Sequence, residues 1–294
     1  LMNRGGITRS LVDLASLVVG RSRGGLGHVN VASSVFFAGV SGSAMADAAA
    51  LSSTLVPAMK ENGYSGVYAG AITAASSVIG PLIPPSIILI FYGAIMNVDV
   101  AALFAASIVP GLLLSLALFA ANAVFARLDG HPTLDNRPPF FRTLAKAGPA
   151  LLLPAIIIAG IVFGIVTPTE AAALAVAASL LVILLGGKLQ WETVRESVFG
   201  ATIFTGAIFA IIFAATSINF LAALVGAPEM IADWLNAHSL DLNTYLAVLT
   251  CIFILVGMIL DTQIALILLA PILVPAAYQL GADPVHLGTR KPAE

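Results

Sequence analysis

Apolar residues in this chain form long unbroken runs, without the strict alternation that builds half-buried strands. A helix needs about 20 apolar residues to cross the hydrocarbon of a bilayer, and uninterrupted spans are predicted at 101–125, 149–166, 170–187 and 200–226. Three further stretches are interrupted: 29–59 at residues 39–43 and at Pro57, 67–95 at residues 80–85, and 245–280 near residues 257–262 and at Pro271 and Pro275. Each arm of 29–59 holds about 10–15 residues, too few to span alone, so this stretch is predicted to be a re-entrant hairpin. Residues 1–27 follow another rule. Leu11, Leu14, Val18 and Val19 recur at helical spacing, and Arg4, Arg9, Arg21 and Arg23 face only Asp13. That pattern predicts a helix lying along a membrane surface.

Basic residues concentrate in cytoplasmic loops. Residues 1–23, 127–146 (Arg127, Arg137, Arg142, Lys146) and 188–195 are therefore expected inside, and 228–241, with Glu229, Asp233 and Asp241, outside. The crossings between Arg23 and Arg127 must then be even in number, which again makes 29–59 enter and return on one side. Composition adds the solvent: 59% of the 294 residues are hydrophobic and 10% charged, where a water-facing surface needs about a quarter charged. A net charge of −2 and the lack of a glycine-rich phosphate loop argue against nucleic acid and bound ATP as partners. Cys251 sits inside an apolar run as a small hydrophobe.

The chain also matches itself without a gap at an offset of 218 residues. Gly39 pairs with Gly257, Ser43 with Asp261, and Leu55-Val56-Pro57-Ala58 with Leu273-Val274-Pro275-Ala276; Gly63, Val67 and Gly70 pair with Gly281, Val285 and Gly288. The flank before the first copy is basic and that before the second acidic, so the copies are expected to enter from opposite sides. This predicts an all-helical integral membrane protein built as an inverted repeat, in which interrupted helices meet near the midplane. The first repeat is 1–126, a cytoplasmic loop 127–146 follows, and the second repeat is 147–294. The opening Leu1-Met2-Asn3-Arg4 lacks an obligatory initiator, and the chain is expected to be a piece of a longer protein.

Unwound backbone at membrane depth is tolerated only where it is buried or lines a cavity. Gly39-Val40-Ser41-Gly42-Ser43 offers hydroxyls and carbonyls, and Gly80-Pro81-Leu82-Ile83-Pro84-Pro85 forces carbonyls out of the helical ladder because proline lacks an amide donor. Oxygens of this kind form hard-cation sites, so a sodium site is expected between these two breaks. Three carboxylates need weighing. Glu170, in Thr167-Pro168-Thr169-Glu170, reads as a helix cap; Asp261 reads equally as cap or ligand, and Asp47 can cap the returning arm by the same logic. Gly39-Val40-Ser41-Gly42 also fits the Gly-x-Ser-Gly motif of rhomboid intramembrane proteases. Such an enzyme needs a buried histidine, and His28, His131, His238 and His286 all fall at span edges or in loops.

Several strings together resemble the large membrane subunit of tripartite ATP-independent periplasmic (TRAP) transporters. They are Leu1 to Val12, Arg23-Gly24-Gly25-Leu26-Gly27-His28-Val29-Asn30-Val31, residues 39–48, Gly80 to Ser86, Thr167-Pro168-Thr169-Glu170-Ala171-Ala172 and Gly257-Met258-Ile259-Leu260-Asp261-Thr262. The resemblance implies an elevator-type carrier, not an enzyme, in the bacterial inner membrane. It implies sodium-coupled uptake of C4-dicarboxylate, sialic acid or a related small organic acid, with no cofactor and no transition metal. It implies two partners, a small membrane subunit and a periplasmic solute-binding protein. It maps one sodium site onto Ser41, Gly80, Ile83 and Pro84 and a second onto Gly257, with Gly39, Gly42, Ser43, Asp47, Asp261 and Thr262 in the vicinity of ion or substrate. The counterpart of residues 71–85 is expected to be missing from the second copy, which ends in Thr289-Arg290-Lys291-Pro292-Ala293-Glu294. The runner-up is a carrier of the wider ion-transporter superfamily that works without a binding protein.

Overall fold

With so few charged side chains to face water, the chain satisfies its backbone internally, and helices do this segment by segment. The computed structural model describes residues 7–133, 140–185, 191–237 and 241–289. Every regular element among them is a helix: α1 (Ile7–Val19), α2 (Gly25–Ser41), α3 (Ala44–Glu61), α4 (Gly66–Ser77), α5 (Ile87–Met96), α6 (Val100–Leu128), α7 (Phe140–Val162), α8 (Pro168–Leu185), α9 (Trp191–Leu224), α10 (Ala227–Ala237), α11 (Leu242–Gly257), α12 (Thr262–Gln279) and α13 (Pro284–Thr289). Among the described residues three helices are long and apolar enough to cross a membrane, Val100–Leu128, Val194–Leu224 and Thr262–Gln279. Phe199, Phe213 and Phe220 of α9 are exposed, a surface suited to lipid and not to water.

Two compact units share the chain, Leu1–Ile87 with Ser107–Val194, and Ile88–Ala106 with Arg195–Glu294. In the first, α2 is the central element, and every residue from 24 to 34 is buried. One side packs with Leu11, Val12 and Ala15 of α1 and Leu51 and Leu55 of α3. The other packs with Met59, Tyr64, Ala69, Ile72 and Ile79. The amphipathic α1 thus buries Leu11, Leu14 and Ala15 against protein, while Val18 stays exposed, as do Arg21 and Arg23 just beyond the helix. Thr167 and Glu170 cap α8 reciprocally: the Thr167 amide and hydroxyl donate to Oε2 at 2.7 and 2.9 Å, and the Glu170 amide donates to Thr167 Oγ1 at 3.3 Å. This is the capping arrangement expected of Thr-Pro-Thr-Glu.

In the second unit Leu235, Tyr245, Leu249, Ala276, Ala277 and Ala282 form the core. The stretch 228–241, read from the sequence as an acidic loop, is helical up to Ala237 as part of α10, because Ile231 and Leu235 recur at helical spacing and pack on that core. Pro271 and Pro275, read as interruptions, lie inside an unbroken α12. A proline at 271 deprives the carbonyl at 267 of its helical donor. Asn219 of α9 replaces it, donating Nδ2 to the Ile267 carbonyl at 3.1 Å. Asn219→Leu leaves that carbonyl unpaired and is expected to cost about 1–3 kcal/mol, seen as a lower unfolding midpoint in detergent; an unchanged midpoint would show that the bond contributes nothing.

The 218-residue register extends to the elements. Helices α3 (Ala44–Glu61) and α12 (Thr262–Gln279) have equal length and begin and end at matching positions. Their N-caps, Ser43 and Asp261, both accept a backbone N–H, and Gly63 and Gly281 both take positive φ, 85° and 90°.

Candidate functional site

The first break is narrower than the sequence suggests. Helix α2 continues to Ser41 and ends on Gly42, whose left-handed φ of 59° lets its N–H return to the Ala38 carbonyl, the usual glycine stop. Ser43 immediately caps α3, accepting from the Ala46 amide at 3.4 Å, so the turn between the arms is two residues long. Gly39 is therefore helical, and its role is close packing: a methyl group there would lie 2.8 Å from Pro154 Cβ of α7.

The second break, 78–86, leaves α4 through tight turns. Ile79 donates to Ser76, Gly80 to Ser77, and Ile83 to Ile79. Pro84–Pro85 is a cis peptide, Pro84 is buried, and Ile83 packs over Gly111 of α6.

The fold brings these two breaks face to face. A methyl group on Gly42 would lie 2.5 Å from the Pro85 carbonyl oxygen and 3.2 Å from the Ile87 amide. Asp47, one turn into α3, is fully buried. It does not cap its helix, since Ser43 does. Its Oδ1 accepts the Ser41 hydroxyl. Its Oδ2 lies against Gly80, where a methyl group would collide with it, and has no hydrogen-bond partner among the described residues. Ser41, Gly42, Ser43, Asp47 and Gly80 thus form one cluster, with Ile83 and Pro84 in the turn that closes it. A buried carboxylate with one unpaired oxygen is costly unless a cation or proton meets it, and the surrounding groups are neutral hydroxyls and backbone. A cluster of this chemistry suits a hard monovalent cation.

Gly257, Asp261 and Thr262 stand at the tip between α11 and α12, in the second unit. All three are exposed, nothing within 4 Å would meet a methyl group on Gly257, and Asp261 caps α12 by accepting from the Gln263 amide at 2.9 Å. Asp241, which precedes α11, accepts the hydroxyl of Thr244 in the first turn of that helix, and this holds its carboxyl below the usual range.

Among the described residues, His28 and His131 pack against aromatic rings. His28 stacks on Phe119, with ring centroids 5.6 Å apart, and His131 stands 4.3 and 4.7 Å from the rings of Tyr64 and Tyr68. The Ser41 hydroxyl is given to a carboxylate, not to an imidazole. Arg4, Arg137, residues 188–190 and His238, with the side chain of His286, lie outside the described residues. Sequence reasoning missed the polar partners of the arm that carries Ser41, namely Asn30, Ser34, Thr73 and Ser76. Their signal was present as polar residues at i, i+4 and i, i+3 inside apolar runs.

Long apolar helices whose polar groups turn inward, and whose interruptions are buried against one another, define an integral membrane protein. The chain belongs to the family Tripartite ATP-independent periplasmic transporter, DctM component, which matches residues 1–289. It is 38% identical over 295 residues to the sialic acid TRAP transporter large permease protein SiaM of Vibrio cholerae, covering 98% of this chain and 68% of that protein. It is 36% identical to the sialic acid TRAP transporter permease protein SiaT of Haemophilus influenzae, covering 98% and 47%. It is 34% identical to the C4-dicarboxylate TRAP transporter large permease protein DctM of Pseudomonas aeruginosa, covering 98% and 68%. The chain therefore spans about two thirds of two of these relatives and about half of the third.

Proposed function

We propose that the chain carries out sodium-coupled uptake of a small organic acid as part of the large permease subunit of a TRAP transporter. It is a multi-pass carrier of the bacterial inner membrane, of elevator type, and not an enzyme. It works with a small membrane subunit and a periplasmic solute-binding protein. The observation that carries the reading is the face-to-face packing of the two breaks around a buried, half-paired Asp47. Sodium fits there: the Ser41 hydroxyl and the carbonyls of residues 80–84 supply neutral oxygens, and the Asp47 carboxylate supplies the opposing charge. An ion that bridges tip and break favours the conformation in which they meet, and through that preference alone it biases the carrier. Gly257, with Asp261 and Thr262 close by, is the corresponding proposal for a second ion at the other tip.

The substrate class follows from relatives named for sialic acid and C4-dicarboxylate, both carboxylates. Energetics then bound the stoichiometry. A tenfold sodium gradient supplies about 1.4 kcal/mol per ion, and 100 mV adds about 2.3 kcal/mol. A dicarboxylate dianion moved inward against the same potential costs about 4.6 kcal/mol, more than one sodium delivers. At that gradient and potential, accumulating a dianion takes at least two sodium ions.

The test is uptake of labelled sialic acid and succinate into proteoliposomes containing the permease, its small subunit and its binding protein. Replacing external sodium by potassium is expected to lower the initial rate at least tenfold; an unchanged rate would sink the sodium reading.

A further inference from the structure

Two helices fix the geometry of the cation cluster: α2, which ends at Ser41, and α4, which leads into Gly80. They are separate in sequence and no covalent link holds them in register. Apolar packing between them, such as Val31 and Ala38 with Ala69 and Ile72, tolerates sliding. One feature does not. Asn30, Ser34, Thr73 and Ser76 are all buried at 2% exposure or less, and their side chains form a directed chain. The Ser34 hydroxyl donates to Ser76 Oγ at 2.8 Å, the Ser76 hydroxyl to Asn30 Oδ1 at 2.9 Å, Asn30 Nδ2 to Thr73 Oγ1 at 2.6 Å, and the Thr73 hydroxyl to the Ala69 carbonyl at 2.7 Å. Asn30 thus uses its acceptor on Ser76 and its donor on Thr73, two residues three apart on one face of α4.

We propose that Asn30 is a positioning residue of the cation site: its carboxamide sets the register of α4 against α2 and thereby places Gly80 against Asp47. It is not a ligand, since it lies eleven positions before Ser41, about 16 Å along the helix. The mechanism is geometric. Sliding α4 by one residue turns its face by about 100° and removes both hydroxyls from the amide, leaving buried polar groups unpaired. A single buried polar residue that fixes helix register is a known use of such groups. Because α4 ends at Ser77, three residues before Gly80, an error of register passes directly to the turn that meets Asp47. This inference rests on the cation-site reading above.

The experiment uses the assembled transporter and the variants Asn30→Leu, Ser76→Ala and their combination. Three quantities are read: the half-saturating sodium concentration, the substrate concentration for half-maximal uptake at saturating sodium, and hydrogen exchange of the peptide covering residues 78–85. Asn30→Leu is expected to raise half-saturating sodium about tenfold, to change the substrate value less than twofold, and to accelerate exchange in that peptide. The double variant should match Asn30→Leu within about twofold, because members of one network are not additive. Wild-type sodium dependence and exchange in a folded Asn30→Leu protein, or single effects that multiply in the double variant, would overturn the inference. If Asn30→Leu does not fold, Ser76→Ala and Thr73→Val carry the same test. If the unmodified transporter ignores sodium, the cation-site reading falls and exchange alone decides the positioning role: faster exchange upholds it and unchanged exchange ends it.

Discussion

Gly42→Ala is expected to lower sodium-driven uptake at least tenfold and to raise the half-saturating sodium concentration, in a protein that still inserts and binds its partner subunit. Two costs coincide at this position. The left-handed φ of 59° disfavours any side chain by about 1 kcal/mol. The added methyl would also lie 2.5 Å from the Pro85 carbonyl oxygen, well inside contact distance, so the tip and the second break must separate. Separation of about an ångström is small for the fold and large for an ion whose ligands come from both sides. Gly63→Ala separates the two costs. Gly63 has φ 85° with nothing within 4 Å of an added methyl, so it carries the backbone penalty alone, and its uptake should stay within about twofold of wild type. Equal losses in the two variants would show that backbone strain, not the approach of Pro85, explains Gly42.

Asp47→Asn is the second large effect. The amide keeps the size of the carboxylate and can still accept the Ser41 hydroxyl, so packing is preserved while the charge is lost. The half-saturating sodium concentration is expected to rise by at least tenfold, because a cation at this buried cluster loses the formal counter-charge that Asp47 supplies. Sodium dependence unchanged by Asp47→Asn would remove the carboxylate from ion binding.

Much of this architecture is legible in the sequence because lipid simplifies the code. Span length, basic loops and glycine–proline breaks locate α6, α8 and the interrupted stretches within a few residues. What composition hides is the response of the surroundings. Pro271 reads as a break because proline removes a donor, and only the fold shows Asn219 replacing it. The tip at 39–43 reads as five unwound residues, whereas one glycine in the left-handed region lets the helix continue to Ser41. Asp47 follows a hairpin tip and reads as a cap; Ser43 takes that task, and Asp47 turns inward to Gly80. Asn30 and Ser34 stand one turn apart, as Thr73 and Ser76 do, but the pairing between the two sets spans 43 and 46 residues, which no local pattern reveals.

The enclosure of residues 25–34 of α2 also constrains the order of biogenesis. An arm carrying Asn30 at 0% exposure cannot rest in lipid alone without leaving its carboxamide short of the partners it has on α4. Its partners Thr73 and Ser76 are synthesised about 40 residues later, and Asn122, which bonds the Gly24 carbonyl at its entrance, later still. That arm therefore leaves the ribosome before the partners it needs, and until α4 and α6 arrive it depends on the insertion machinery for shelter.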